Sequence, residues 1–326
     1  MQKEKFVEAY NLIQNSKRIL LATHESPDGD GLASMLAMYH WLESIKPGAI
    51  FLYSKDEIPK YLKFLPGIEK IQGQIPEGEF DLLIGFDYGD FKRLGLDEWL
   101  KTQPEIKIIT FDHHPAGRQM GTINLIDTTS SSTAELIYDF FEASEVKFNK
   151  DIAKLILCGI VVDTGIFKHS NTTPKTLRVV KNLLLKGVTT KEIVKHLEED
   201  LRPISAMRLW GEALLRIKIE PKSGLAVSFA HKEDFLRHNA EKEHLSEFSS
   251  LMATIPEARF SVFLAEEPEE PQFIKGSLRS ENYHNADVST IAKHFGGGGH
   301  KLASGFETES TMEEVLKKLI NLAKTV

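Results

Sequence analysis

Six strand-forming residues, Ile106–Phe111 (IKIITF), stop abruptly at Asp112-His113-His114. A continuous run of β-branched and aromatic residues reads as a strand buried on both faces, which is the habit of parallel sheets. The three ionisable residues that follow cannot be core, because they would be buried without partners. Three other apolar runs end in the same way. RILLAT (18–23) ends at His24, with Asp28 and Asp30 on the next turn, LLIGF (82–86) ends at Asp87, and LCGIVV (157–162) ends at Asp163. In open α/β sheets the carboxyl ends of strands are where ligands bind.

The segments between these runs have helical spacing. Phe6–Gln14 precedes the first strand, and LASMLAMYHWLESI (32–45) follows it, opened by glycines and stopped near Pro47-Gly48. Strands are expected at 49–53, 80–86 and 122–126, and helices at 132–142, 152–162 and 174–185, so that the run before Asp163 ends a helix rather than a strand, with Thr164-Gly165 as its stop. Strands alternating with helices make βαβ units, so a doubly wound, mainly parallel α/β domain is expected over residues 1–188. A charged helical linker follows at 189–211. A smaller α+β domain is expected over 212–326, with strands in LLRIKIE, GLAVSFA, ARFSVFLAEE and QFIKGSLRS, helices near 244–253, 288–294 and from Met312, and an exposed hairpin loop at EEPEEP (266–271).

Composition narrows the function. No apolar run approaches the ~20 residues that a membrane-spanning helix needs, and the amphipathic N-terminus is no secretory signal. The one cysteine, Cys158, sits in an apolar run, so no internal disulfide forms and a cytoplasmic location is expected. A net charge of −7 argues against coating long nucleic acid, which requires many phosphate-neutralising contacts, but is compatible with a short anionic substrate.

The residues that end the apolar runs form one inventory: two imidazoles (His24, His113) and four carboxylates (Asp28, Asp30, Asp87, Asp163), without a thiolate. That set suits Mn, Mg, Co or Zn and disfavours a cysteine-type structural zinc. Pro27 with the two glycines Gly29 and Gly31 forces a tight turn that can aim His24 and Asp28 at one point and Asp30 at a neighbouring one. Four carboxylates in one place repel strongly, and two divalent cations offset their charge. Paired cations activate water for in-line phosphoryl displacement. Arg93, six residues after Asp87, can return a planar guanidinium to a phosphate, and His114 can contact or protonate phosphate oxygens.

The second unusual stretch is Phe295-Gly-Gly-Gly-Gly-His300-Lys301. Its four glycines (296–299) permit close backbone approach to a ligand, and their N–H groups can form an anion-binding nest. From Pro271 to Ser304 there are four Lys/Arg and three His against two acids, a local reversal of charge that fits a phosphate-bearing substrate. Arg279 adds a guanidinium from a strand.

His24-xxx-Asp28-x-Asp30, Asp87 with Arg93, Asp112-His113-His114 and Asp163 resemble the four motifs of the DHH phosphoesterases, and the glycine run with Arg279 resembles the DHH-associated C-terminal domain. The two-domain length is similar to that of the nano-RNase branch, whose members degrade short oligoribonucleotides and dephosphorylate 3′-phosphoadenosine 5′-phosphate (pAp). The resemblance implies one cation held by His24, Asp28 and Asp87 and a second held by Asp30, Asp87, His113 and Asp163. Mn²⁺ is the first expectation, with Mg²⁺ or Co²⁺ as alternatives. It implies that Asp87, Arg93 and His114 are the catalytic groups and that Asp112 orients a ligand histidine. Arg93, His114, Arg279, Gly297, Gly298, Gly299 and His300 would hold substrate phosphates, with the active site in a cleft between the domains and a homodimer as the expected assembly. Tyr88 and His169 depart from the family pattern, which has a small residue and an apolar or aromatic one there.

Three alternatives are set against this expectation. A manganese pyrophosphatase shares the N-terminal motifs but needs no base-accommodating cleft. A cyclic-dinucleotide phosphodiesterase would use the same metals. A catalytically silent nucleotide sensor would lack ligands, and none is missing here.

Overall fold

A computed structural model describes residues 2–115, 121–201, 203–241, 245, 248–267, 272–281, 284 and 286–325. The chain divides into two compact units, Met1–Glu198 and Glu199–Val326.

The first unit holds six strands: β1 (Ile19–Thr23), β2 (Ile50–Tyr53), β3 (Ile71–Gln72), β4 (Leu82–Phe86), β5 (Lys107–Asp112) and β6 (Ile123–Ile126). All are parallel, in the order β3-β2-β1-β4-β5-β6. This is the doubly wound α/β arrangement expected from the alternation of apolar runs and helical segments. The order reverses between β1 and β4, and that reversal is where such sheets bind ligands. Helices α1 (Gln2–Asn15), α2 (Gly29–Ile45), α3 (Asp97–Leu100), α4 (Thr133–Ala143), α5 (Lys150–Asp163), α6 (Pro174–Leu184) and α7 (Thr190–Leu201) complete the unit's elements.

Successive strand residues point to opposite faces, and the core divides accordingly. Ile19, Leu21, Leu82, Ile84, Ile109 and Phe111 pack with α2, α4 and α5 on one face. Leu20, Ala22, Leu83 and Ile108 pack with Phe80, Tyr88, Phe91 and Leu94 on the other. Short β3 was not expected, since two residues carry no readable period.

Tyr88 belongs to this second core. Its ring is buried, and its hydroxyl shares a short hydrogen bond with Thr110 Oγ1. Gly85 makes the space, because a Cβ there would lie 2.6 Å from the Tyr88 ring. The bulky residue after Asp87 is therefore accommodated away from the Asp87 carboxyl, by a glycine three residues earlier. Gly85→Ala should overpack this slot and cost about 1–3 kcal/mol, read as a lower denaturant midpoint with an unchanged slope.

In the second unit α8 (Ile204–Leu215) leads into β7 (Lys218–Glu220) and β8 (Leu225–Ala230). There follow α9 (Lys232–His238), α10 (Phe248–Ala253), β9 (Phe260–Glu266), β10 (Phe273–Ser280), α11 (Val288–Lys293), β11 (Gly298–Gly299), β12 (Ala303–Glu309) and α12 (Met312–Leu322). The sheet order is β11-β12-β10-β9-β8-β7, mixed, with β8 and β9 parallel and the remaining pairs antiparallel. Leu214 and Leu215, expected in a strand, instead close α8. The helical spacing of buried Leu209 and Ala213 carries through them. Within the EEPEEP loop, residues 268–271 lie outside the described residues, as do 244 and 246–247 of the helix expected near 244–253.

Candidate functional site

The site forms at the carboxyl ends of β1, β4 and β5, closed by the N-termini of α2 and α4 and the C-terminus of α5. Each side chain is aimed by local backbone chemistry. Asp28 caps α2, its carboxylate accepting the Asp30 and Gly31 N–H groups at 3.0 Å each. Gly31 lets α2 start directly behind β1, since a Cβ there would fall 2.3 Å from Thr23 Oγ1 and 3.3 Å from the His24 ring. Asp30 lies fully buried, and its two oxygens accept the Thr133 and Ala134 N–H groups of α4 at 2.6 and 2.9 Å. A carboxylate on a helix N-terminus is favoured by both the free N–H groups and the helix dipole.

Asp87 follows β4 with φ +56°, a left-handed conformation that Asp tolerates better than most residues. Its N–H extends the pairing with β5 by donating to the Phe111 carbonyl at 3.0 Å. The turned backbone sends the carboxyl to the centre of the cluster. His24 Nε2 lies 3.6 Å from Asp28 and 3.9 Å from Asp87. His113 Nε2 lies 3.6 Å from Asp87 and 3.5 Å from Asp163. The donor atoms of His24, Asp28 and Asp87 fall within 4.8 Å of one another, as do those of Asp30, His113 and Asp163, and those of Asp87, His113 and His114.

The imidazoles are held as ligands would be. His24 Nδ1 lies 2.7 Å from the Glu25 carbonyl and His113 Nδ1 3.4 Å from the Ser130 carbonyl. A proton on each Nδ1 satisfies these carbonyls and leaves each Nε2 with a lone pair facing the carboxylates. His113 Nε2 is buried without any hydrogen-bond partner. Arg93 Nη2 approaches the same His24 Nδ1 at 3.0 Å. Since Nδ1 cannot both donate to Glu25 and accept from Arg93, the shorter carbonyl contact sets the tautomer, and the guanidinium packs alongside.

Electrostatics point the same way. Burial and the neighbouring Asp163 push the Asp30 carboxyl up to about 7. Burial and Asp28 push Asp163 to about 7, and burial with Asp30 raises Asp87 well above the carboxylate range. Carboxyls crowded this way favour protons or cations. The donor set, all oxygen and imidazole nitrogen with an orphaned buried Nε2, fits divalent metal ions.

Asp112 is held against His114. It accepts from Gly89 N at 2.7 Å and from His114 N and Nδ1 at 2.9 and 3.0 Å, so it orients His114 rather than His113. The i to i+2 bond from His114 N turns the chain just after β5 and brings the two imidazoles side by side, ring centroids 4.4 Å apart, both facing Asp87. Hydrogen bonds to Asp112 and Asp87 push His114 up to about 10.

Thr133, Ser130 and Asn171 were not anticipated from the sequence. Thr133 Oγ1 donates to Asp87 Oδ1 at 3.0 Å, and Asn171 Nδ2 lies 2.9 Å from the Ser131 carbonyl and 3.4 Å from Asp163 Oδ2. The Ser131-Ser132-Thr133 run ahead of a helix was the available signal. Thr133→Val keeps the shape and removes that donor, and kcat should fall about 10–100-fold at saturating metal in steady-state assays. His169, the other departure, is exposed, with Nδ1 3.2 Å from the Asp163 carbonyl.

In the second unit Arg279 pairs with Ala303 across β10 and β12, and Gly299 with Ser304 across β11 and β12. His300 N donates to the Ala303 carbonyl at 2.8 Å, so Arg279 and the glycine run flank the same residue. Among the described residues no carboxylate pairs with Arg279, and burial lowers its pKa. The glycine nest is narrower than expected: Gly296 and Gly297 N–H groups donate to the Lys293 and Ala292 carbonyls at the end of α11.

Residues 18–160 match the DHH family, N-terminal domain, and residues 223–326 match the DHHA1 domain. The chain belongs to the DHH family of metal-dependent phosphoesterases. It is 31% identical over 290 residues to the bifunctional oligoribonuclease and PAP phosphatase NrnA of Thermus thermophilus, covering 88% of this chain and 83% of the relative. The Bacillus subtilis protein of the same name is 28% identical over 312 residues, 94% of this chain and 95% of the relative. An exopolyphosphatase-related protein from Bacteroides fragilis superposes with a TM-score of 0.88 at 25% identity, covering 99% of this chain and 96% of that one. Among the described residues no helix is long and apolar enough to cross a membrane. The DHH motifs thus coincide with the side chains that converge at the end of the parallel sheet.

Proposed function

We propose that this DHH protein hydrolyses short oligonucleotides to mononucleotides and removes the 3′-phosphate of pAp, using two divalent cations, Mn²⁺ first among them. The observation that carries the reading is the pair of donor sets meeting at Asp87. His24, Asp28 and Asp87 would hold one ion, and Asp30, Asp87, His113 and Asp163 the other. When bound, the ions supply an activated water and charge neutralisation at the phosphoryl oxygens.

The chain's own groups do the rest. The Glu25 and Ser130 carbonyls fix the ligand tautomers, and the N-terminus of α4 holds Asp30 in place. Asp112 keeps the proton on His114 Nδ1, so the ring presents its other nitrogen, Nε2, to a substrate phosphate. Arg93 stands beside His24, where a guanidinium can meet a phosphate oxygen. We assign catalysis to residues 1–188 and substrate binding to residues 212–326, where Arg279, Gly298, Gly299 and His300 serve as the phosphate contacts. The names of the relatives that align over most of their length support these substrates.

One turnover panel with Mn²⁺ on pAp, pGpG, a labelled RNA trimer and pyrophosphate tests the proposal. Turnover of pAp and the trimer is expected; phosphate release from pyrophosphate alone would overturn it. Arg279→Ala should raise KM about 10–100-fold with kcat little changed, the loss expected of one charge-assisted contact of about 1.5–3 kcal/mol.

A further inference from the structure

We infer that buried Glu135, paired with half-exposed Lys175, positions the proposed metal ligands from behind, and so sets their affinity for the cations without touching them. This rests on the metal-dependent reading above. Glu135, in the first turn of α4, is fully buried. Its Oε2 accepts the Ser131 hydroxyl at 2.6 Å and the Thr176 hydroxyl at 2.8 Å. Lys175 Nζ stands 3.1 Å from its Oε1, 2.5 Å from Asp139 on the outer side of α4, and 3.3 Å from Ser130 Oγ. One carboxylate therefore ties the 130–135 segment to the start of α6.

That segment is where the ligands are held. The Ser130 carbonyl faces His113 Nδ1, Thr133 donates to Asp87 through its hydroxyl and to Asp30 through its N–H, and the Ser131 carbonyl anchors Asn171 against Asp163. Four of the six proposed ligands are thus steered by six consecutive residues pinned at one point. Setting a buried carboxylate against a half-exposed lysine is a poor route to stability, because well-packed apolar residues of similar volume often do as well. What the pair supplies is direction: its bonds fix both hydroxyls and the backbone between them, and metal geometry depends on such outer partners.

The test is Mn²⁺ binding by calorimetry and by electron paramagnetic resonance on the full chain, with Glu135→Gln as the isosteric variant. Circular dichroism confirms folding. The dissociation constant should rise about 10–100-fold and the resonance signature of the bound ions should change, while KM at saturating Mn²⁺ stays put and excess Mn²⁺ restores turnover. Thr176→Val, which removes one donor and keeps the shape, covers the case in which Glu135→Gln does not fold. It should shift affinity in the same direction by less. A folded variant of either kind with wild-type affinity and signature overturns the inference alone. A wild-type chain that binds no Mn²⁺ overturns both the inference and the reading beneath it.

Discussion

Asp87→Ala should abolish turnover on every substrate, lowering kcat/KM by about three to four orders of magnitude. Under the two-cation proposal Asp87 is the group both ions would share, so removing it forfeits several kcal/mol of charge stabilisation, and each 1.36 kcal/mol is tenfold in rate. The geometry leaves no substitute, since His24 and His113 both converge on this carboxyl, at 3.9 and 3.6 Å. Stability should move the other way. Burial and Asp30 disfavour the charge on Asp87, so relieving it removes a repulsion in the metal-free protein. Asn, which tolerates the left-handed backbone at φ +56° better than Ala does, isolates this effect. Metal-free Asp87→Asn should melt at or above the wild-type temperature at pH 8, and Mn²⁺ should no longer raise it. Near-normal activity in either variant would remove Asp87 from the centre of the site.

Withdrawing the metal should have the second large effect, and pH gives it a sign. Asp30 and Asp163 stand near 7 in the folded chain against a reference of 3.8. Their folded forms hold protons that the unfolded chain has lost, so the stability they contribute is full below about pH 4 and is gone once pH has risen through about 7. Bound cations reverse this trend, because ligands must be deprotonated and metal affinity rises with pH. At 100 times its dissociation constant a ligand adds about 2.7 kcal/mol, or about 5–10 °C for a unit of this size. Calorimetric scans with Mn²⁺ and with chelator should therefore separate by that amount at pH 8 and converge towards pH 5. A gap that widens on acidification would contradict the carboxylate cluster.

The proposed ligands are legible because each ends an apolar run or, like Asp28 and Asp30, sits on the turn just after one. A strand that stops at His24, Asp87 or Asp112 announces both its own length and the place where its last residue lies, and parallel pairing brings those ends together. The two faces of the sheet followed from the same runs. The supporting groups were not readable. Thr133, Ser130 and Asn171 are common turn and cap residues, and nothing local distinguishes a hydroxyl that caps a helix from one that aims a carboxylate. Which histidine Asp112 holds is not legible either, because it depends on the local turn by which His114 N bonds back to Asp112. Tyr88 could not be placed without knowing that Gly85 vacates its slot. The glycine run was legible as unusual, but its first two N–H groups are spent on α11, a use that only the helix end reveals.

The most direct measurement is anomalous scattering at the manganese edge from crystals grown with Mn²⁺. Two peaks about 3.5–4 Å apart, one against His24 and Asp28, the other against Asp30, His113 and Asp163, with Asp87 reaching both, are expected. A single peak, or density away from these six side chains, would contradict the account.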